Sequence, residues 1–294
     1  KIDFNCNFFM LKKAFNMPQF NILYNEEKTP QYDKNFTRSC VGFRTNNTLK
    51  FKSIINFIAN IVSDGNFSFT EDGITFTSMD NSNISLIDML IPKQFFSAYN
   101  PQTEDGTFIT LGINIKLLVK VLNRANKNDE IILKLGKRDS IDLSFVTRKY
   151  NKCYCLKLMD ITDSGITPFD ADSPVEITIE SKYFSELVND FNDIAEDITF
   201  KIVKEAEEEG QNISLTGKGD MSGLEMVLCN EDLEIENIKD VKLDFAIKNL
   251  INFTRGSGIN KKMTIQLDND FPMNLTYPIF EDGYIEYYIA PRIE

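Results

Sequence analysis

Ile113-Asn114-Ile115-Lys116-Leu117-Leu118-Val119-Lys120-Val121 and Phe245-Ala246-Ile247-Lys248-Asn249-Leu250-Ile251-Asn252-Phe253 carry one pattern twice. Ile113, Ile115, Lys116, Leu118, Val119 and Val121 match Phe245, Ile247, Lys248, Leu250, Ile251 and Phe253 in type and order. Apolar residues at three- and four-residue spacings mark an amphipathic helix with one buried face. The same helix written twice, far apart in the chain, points to duplicated domains rather than a solenoid.

The surroundings repeat as well. In the first half, Phe51, Ile54, Ile55, Ile58, Ile61 and Val62 predict a helix near Leu49–Val62, ended by Asp64-Gly65. Strands are expected at Asn66–Thr70, Ile74–Ser78 and Ile84–Ile91, then a helix near Asn114–Ala125, then strands Glu130–Leu135 and Ile141–Val146. In the second half, Phe184, Leu187, Val188 and Phe191 predict a helix over Lys182–Ile194. Strands at Ile198–Val203, Asn212–Thr216 and Leu224–Leu228, a helix near Ala246–Arg255 and final strands complete the second copy. The expected organisation is an extension over 1–40, a first domain over 41–155, a connector over 156–174 and a second domain over 175–294. The connector carries Asp160, Asp163, Ser164, Gly165, Pro168, Asp170, Asp172 and Pro174, which is linker composition. Its Ile161, Ile166 and Phe169 either pack back onto a domain or belong to a docking surface.

Composition narrows the chemistry. The 294 residues are 26% charged and 42% hydrophobic, the profile of a globular chain with room for two domains. No apolar run reaches membrane-spanning length, and the start lacks a secretory pattern, so an intracellular protein with reduced thiols is expected. The five cysteines show no metal-type C-x-x-C pair. Histidine is absent, which removes the commonest general base and metal ligand. There is no P-loop, G-x-G-x-x-G or nucleophile elbow. No catalytic residue, cofactor or metal is therefore expected. The acidic run Glu205–Glu209 reads as a solvated turn.

A net charge of −12 argues against nucleic acid unless the cations share one surface, because the local field governs a nearby polyanion. The lysines do fall in stripes. The first helix presents Lys52, Asn56 and Asn60, the second Lys116, Lys120, Asn123, Arg124 and Lys127, and the fourth Lys248, Asn252 and Arg255. Long cations flanked by Asn suit phosphate contact without base reading. On the residues alone, solvated helix faces explain these stripes at least as readily. The third helix differs, with Glu186, Asn189, Asp190 and Asp193 and only Lys182 positive nearby.

Four further segments carry a resemblance: Ser78-Met79-Asp80-Asn81-Ser82-Asn83-Ile84-Ser85-Leu86, Leu156-Lys157-Leu158-Met159-Asp160, Phe253-Thr254-Arg255 and Tyr287-Tyr288-Ile289-Ala290-Pro291-Arg292-Ile293-Glu294. In order and spacing, from about Val41 to Glu294, the chain resembles the proliferating cell nuclear antigen family of sliding DNA clamps. The resemblance implies an α+β DNA-clamp fold, with two repeated domains of two helices each packed on antiparallel sheets, assembling into a ring. It implies that the four helices line a hole for double-stranded DNA, bound non-specifically, with Lys52, Lys116, Lys120, Arg124, Lys248 and Arg255 facing phosphate. The acidic third helix departs from the family's basic pattern there. The resemblance further implies a pocket for partner peptides built from Met79, Asn83, Ile84, Leu86, Ile166, Pro168, Pro272, Tyr288, Ala290 and Pro291. Asn83 stands where the family has His, and the connector is about one residue longer than usual.

Cys153, Tyr154, Cys155, Gly223, Leu224 and Met226 would form the subunit interface of a homotrimer. The implied partners are a DNA polymerase, other proteins with clamp-binding motifs and a clamp-loader ATPase. The implied location is the nucleus, or a cytoplasmic viral replication site if the source is a large DNA virus, which abundant Asn, Ile and Lys would fit. Two other readings stand beside this one: a clamp-like viral accessory factor acting as monomer or dimer in replication or late transcription, and a metal-dependent nucleic-acid enzyme using carboxylates.

Overall fold

The computed structural model describes residues 41–136, 139–162, 165–168, 171–204, 212–229 and 233–292. The expected extension over 1–40 and the acidic run Glu205–Glu209 lie outside the described residues.

The first half runs β1 (Gly42–Thr45), α1 (Thr48–Ile61), β2 (Asp64–Phe69), β3 (Gly73–Met79), β4 (Ser85–Pro92), β5 (Ala98–Asn100), β6 (Thr110–Asn114), α2 (Ile115–Leu122), β7 (Glu130–Leu135), β8 (Ser140–Val146) and β9 (Asn151–Lys157). The second runs β10 (Val175–Glu180), α3 (Ser181–Asn192), β11 (Asp197–Ile202), β12 (Ile213–Lys218), β13 (Gly223–Leu228), β14 (Glu234–Glu236), β15 (Val241–Ala246), α4 (Ile247–Thr254), β16 (Lys262–Leu267), β17 (Met273–Ile279) and β18 (Gly283–Ile289). Element follows element in the same order in both halves, with one 3-10 turn, Lys93–Phe95, added in the first.

Some expected boundaries move, for visible reasons. Asp64-Gly65 does not end the first helix but opens β2. Gly65 lies under the Phe76 ring, where a Cβ would come within 2.5 Å of it. The second helix begins one residue later than expected because Asn114 is its cap and accepts a bond from the Leu117 N–H at 2.8 Å. Beyond Leu122 the chain tightens into i to i+3 bonds, Arg124 N to Val121 O and Ala125 N to Leu122 O.

Three antiparallel sheets result, in the orders β5-β1-β7-β8-β9, β14-β10-β16-β17-β18-β4-β3-β2-β6 and β13-β12-β11-β15. The middle one crosses between the halves: β18 pairs with β4, with Tyr287 opposite Ile87 and Tyr288 opposite Leu86. The helices cover one face of these sheets. Phe51, Ile54, Ile55 and Ile58 of α1, Leu118 and Leu122 of α2, Phe184, Leu187, Val188 and Phe191 of α3, and Ile247, Leu250 and Phe253 of α4 are all buried. The hydrophobic pattern therefore faces inward as the sequence predicts. Phe57 of α1 is 1% exposed although it lies beside that stripe. It meets the Phe253 ring edge-on at 5.8 Å and Tyr277 at 6.1 Å, so α4 of the second half covers it.

Candidate nucleic-acid and partner-binding surfaces

Contacts order the helices α2-α1-α4-α3. Their solvent faces carry charge in an uneven pattern. Lys116, Lys120 and Arg124 on and after α2 are exposed, as are Lys248 and Arg255 on α4. Arg255 Nη1 donates to Asn60 Oδ1 at 3.3 Å, which ties the end of α4 to α1. Among the described residues, Lys116, Lys120, Arg124 and Lys248 make no ion pair, so their charge faces outward uncompensated. Lys52 corrects the sequence expectation. It is half-buried, and its ammonium donates to the Ala125 carbonyl at 3.0 Å, because the turn after α2 leaves that carbonyl without a helical partner. Lys52 braces α1 against α2 rather than standing free. On α3, Glu186, Asn189, Asp190 and Asp193 are exposed, and Lys182 is paired with Glu186 at 3.5 Å. The helix layer thus runs from cationic at α2 to anionic at α3.

The residues expected to form one partner pocket are spread over a strip with two cavities. A cavity of about 290 Å³ lies between the connector and the first half, lined by Met79, Asn83, Ile161 and Ile166 among others. A second, of about 180 Å³, lies on the other side, lined by Ala171, Phe271, Pro272, Glu286 and Tyr288 among others. Ile84 is 38% exposed, and its carbonyl accepts from the Ala290 N–H at 3.2 Å. Ala290 and Pro168 are exposed, and Pro291 is half-buried. Leu86 corrects the expectation: at 2% exposure beside Tyr288 at 5%, it is floor and offers no surface to a partner. Burial, with further effect from the Glu286 carboxylate that accepts the Tyr288 hydroxyl at 2.7 Å, holds that phenol far above its usual value. Tyr288 stays protonated and donating. Phe271 is a lining residue that the sequence reading missed. It stands beside Pro272 in a turn, and no period marks turn residues.

The connector is anchored at both ends. Met159 N donates to Gly112 O at 2.8 Å, and Asn66 Nδ2 donates to Ile161 O at 3.0 Å. A Cβ on Gly112 would sit 2.1 Å from the Met159 carbonyl oxygen, so only glycine admits the connector here. At the far end Lys239 Nζ reaches Ser173 O at 3.2 Å, and Asn237 Nδ2 reaches Pro174 O at 3.3 Å.

Sheet edges are the third feature. The β6 edge is met by the connector at Gly112 and Met159, and the β15 edge by the chain end, where Arg292 N donates to Asp244 O at 2.8 Å. The β5 and β14 edges are 3 residues long. The β9 and β13 edges, 7 and 6 residues, are long and uncovered among the described residues. Cys153, Cys155, Gly223, Glu225 and Val227 are exposed there, while Tyr154, Leu224 and Met226 are half-buried. An open edge of that length pairs with another strand or invites aggregation.

Two family models divide the chain. The N-terminal domain of proliferating cell nuclear antigen matches residues 42–165, and the C-terminal domain of the same family matches residues 165–292. Proliferating cell nuclear antigen of Chaetomium thermophilum is 30% identical over 253 residues, covering 82% of this chain and 94% of that protein. The chain belongs to the proliferating cell nuclear antigen family. It is also similar to the DNA polymerase sliding clamps of Thermococcus fumicolans and Pyrococcus horikoshii, 28% and 27% identical over 83% of this chain and 95% of each of those proteins. The α+β clamp fold expected from the sequence is the family's.

In this proliferating cell nuclear antigen relative the loop leading into β4 is held by one carboxylate. Asp80 Oδ1 accepts from Ile84 N at 2.9 Å and Ser85 N at 3.0 Å, and Oδ2 accepts from the Ser82 hydroxyl. Burial raises its pKa, but these bonds together outweigh burial and leave it below the ordinary carboxylate value. A depressed carboxylate adds stability above its unfolded pKa and loses it as pH falls through the folded one. The Asp80 loop is therefore expected to stay ordered from neutral pH down through about 4 and to loosen only below that. Asp80→Asn should loosen it already at pH 7. Amide exchange at Ile84 and Ser85 measures both, and equal protection in Asp80→Asn at pH 7 would contradict the assignment.

Proposed function

We propose that the chain is a sliding clamp: a homotrimeric ring that encircles duplex DNA, raises polymerase processivity and tethers replication and repair proteins through the strip beside the connector. The observation that carries this reading is the pair of open edges. If β9 of one subunit pairs with β13 of the next, the five-stranded and four-stranded sheets merge into a nine-stranded sheet, the size of the sheet that already joins the two halves within the chain. Head-to-tail pairing yields a ring when the rotation between subunits closes, as the family resemblance implies it does at three. Three subunits of two similar halves each then give six nearly equivalent sheets and place the helix layers on the inside.

The internal repeat also sets the register. Leu143 faces Tyr154 as Leu275 faces Tyr287, so β9 stands in the place of β18. Leu215 faces Met226 as Phe76 faces Met89, so β13 stands in the place of β4. Carrying over the pairing of Glu286 with Asp88 and of Tyr287 with Ile87 puts Cys153 opposite Glu225 of the next subunit and Tyr154 opposite its Leu224. Directly opposed residues have Cα atoms about 4.5–5.5 Å apart, within disulfide reach. Glu225→Cys is therefore expected to cross-link to Cys153 under mild oxidation and to run as covalent dimers and trimers in a non-reducing gel. Val227→Cys, one pair further along on the same face, should cross-link far less. Equal yields from both, or monomer alone from both, would contradict the pairing.

The polymerase, the clamp-binding proteins and an ATP-driven loader are the partners that this reading requires, since encirclement demands that something open the ring. Its place is the nucleus, or a cytoplasmic replication site if the source is viral. The clamp acts by topology and carries out no reaction of its own. Circular duplex incubated with the protein and magnesium or manganese is expected to remain uncut, and a gel showing nicked or linear product would count against that.

A further inference from the structure

We propose that the outward face of the second domain's four-stranded sheet is a docking cleft for an acidic segment flanking the peptide that fills the partner strip; this rests on the strip being the peptide site. A cleft of about 610 Å³ lies on that face, lined by Lys201, Lys218, Lys242 and Arg292 together with Asp197 and Asp244. Lys201 of β11 and Lys242 of β15 are directly opposite each other on the solvent side of the sheet. Like charges in opposed positions destabilise a sheet. Asp197 and Asp244 offset them only in part: among the described residues Lys201, Lys218 and Lys242 make no ion pair and no side-chain hydrogen bond. In a chain of net charge −12, three unpaired cations around one concavity are a local reversal of the prevailing field.

Position links the cleft to the partner strip. The chain end passes from Ile84, whose carbonyl holds Ala290 N at 3.2 Å, to Asp244, whose carbonyl holds Arg292 N at 2.8 Å. Two residues span at most about 7 Å, so a peptide seated beside Ala290 reaches the cleft within a few residues of its own. Arg292 Nη1 pairs with Asp197 Oδ2 at 2.6 Å. The side-chain carboxylates of an acidic flanking segment supply partners for Lys201, Lys218 and Lys242. The short path from the partner strip at Ala290 to the cleft at Arg292 favours a flanking part of the same peptide over a separate nucleic acid. The assignment is therefore to an acidic peptide.

The test uses the full chain and two synthetic peptides sharing one aliphatic and two aromatic anchor residues, extended by four Glu in one and four Gln in the other. Fluorescence anisotropy at low salt should show the Glu peptide binding about fivefold tighter, the scale of a few exposed ion pairs. In K201Q/K242Q the ratio should fall to about one while the Gln peptide binds as before. Equal binding of the two peptides, or a ratio that survives K201Q/K242Q, would overturn the proposal. If neither peptide binds, the strip reading has failed, and the cleft stands on a second arm. Titration of hexaglutamate should then shift the amide resonances of Lys201 and Lys242, and no shift overturns the proposal. Displacement of the Glu peptide from the cleft by single-stranded DNA at equal concentration would assign the cleft to nucleic acid and overturn it as well.

Discussion

Lys120→Glu, Lys248→Glu and Arg255→Glu together are expected to weaken duplex binding on the order of 100-fold at low salt, with no loss of fold. Each side chain is exposed, and the one contact given up is the exposed bond from Arg255 to Asn60. A ring repeats each substitution in every subunit, and removing one phosphate-binding cation flattens the dependence of log affinity on log salt by nearly one unit. A matching gain is expected on the other flank. Asp190→Lys with Asp193→Lys removes two exposed carboxylates from α3 and should tighten binding severalfold at low salt, with the difference disappearing as salt rises. Filter binding across a salt series reads both. Unchanged affinity in the triple variant would move the DNA away from the helix layer. Unchanged affinity in the α3 variant would show that DNA never approaches that helix. In the proposed ring an acidic stripe facing the duplex would keep total attraction low, which suits a protein that moves along DNA.

Tyr154→Asp is expected to convert the assembly from three chains to one at micromolar concentration. Tyr154 is half-buried in the single chain, where its ring packs on Phe145 at 5.5 Å. In the ring it would be enclosed opposite Leu224 of the next subunit, where an unpaired carboxylate is costly to bury. The β8–β9 hairpin is held along its whole length, from Ser140 opposite Lys157 to Val146 opposite Asn151, so the subunit itself should persist. Light scattering gives the mass, expected to fall from three times 33.8 kDa to that single-chain value. Leu224→Lys added to Tyr154→Asp places a cation opposite the new carboxylate and should restore part of the ring. Rescue by Leu224→Lys tests the register rather than the general fragility of the edge, and a double variant no more associated than Tyr154→Asp would reject that register.

Much of this molecule was legible in its sequence because its two periods are clean. The three- and four-residue spacing in α1, α2, α3 and α4 located every helix to within two or three residues, and the alternation around Ile131 and Leu133 located β7. The duplication is legible from Ile113–Val121 against Phe245–Phe253 together with the repeated order of elements around them. Side chains whose environment comes from the other half of the chain were not legible. Phe57 is buried by α4, Leu86 is closed over beside Tyr288, and no local pattern announces a neighbour so distant in sequence. Lys52 looked like a free cation because spacing reveals direction but not the carbonyl of Ala125 waiting there. The sequence names residues of the partner strip but not its division: Met79 and Ile166 line one cavity, Pro272 and Tyr288 the other.

The central claim is topological, and retention on closed against open DNA tests it most directly. With the loader or at high protein concentration, the protein should stay on nicked circular duplex through a gel-filtration wash at moderate salt. It should leave once the circle is cut, because a ring slides off free ends. Equal retention on the circle and on the cut product would mean that the protein grips DNA rather than encircles it, and would contradict the account.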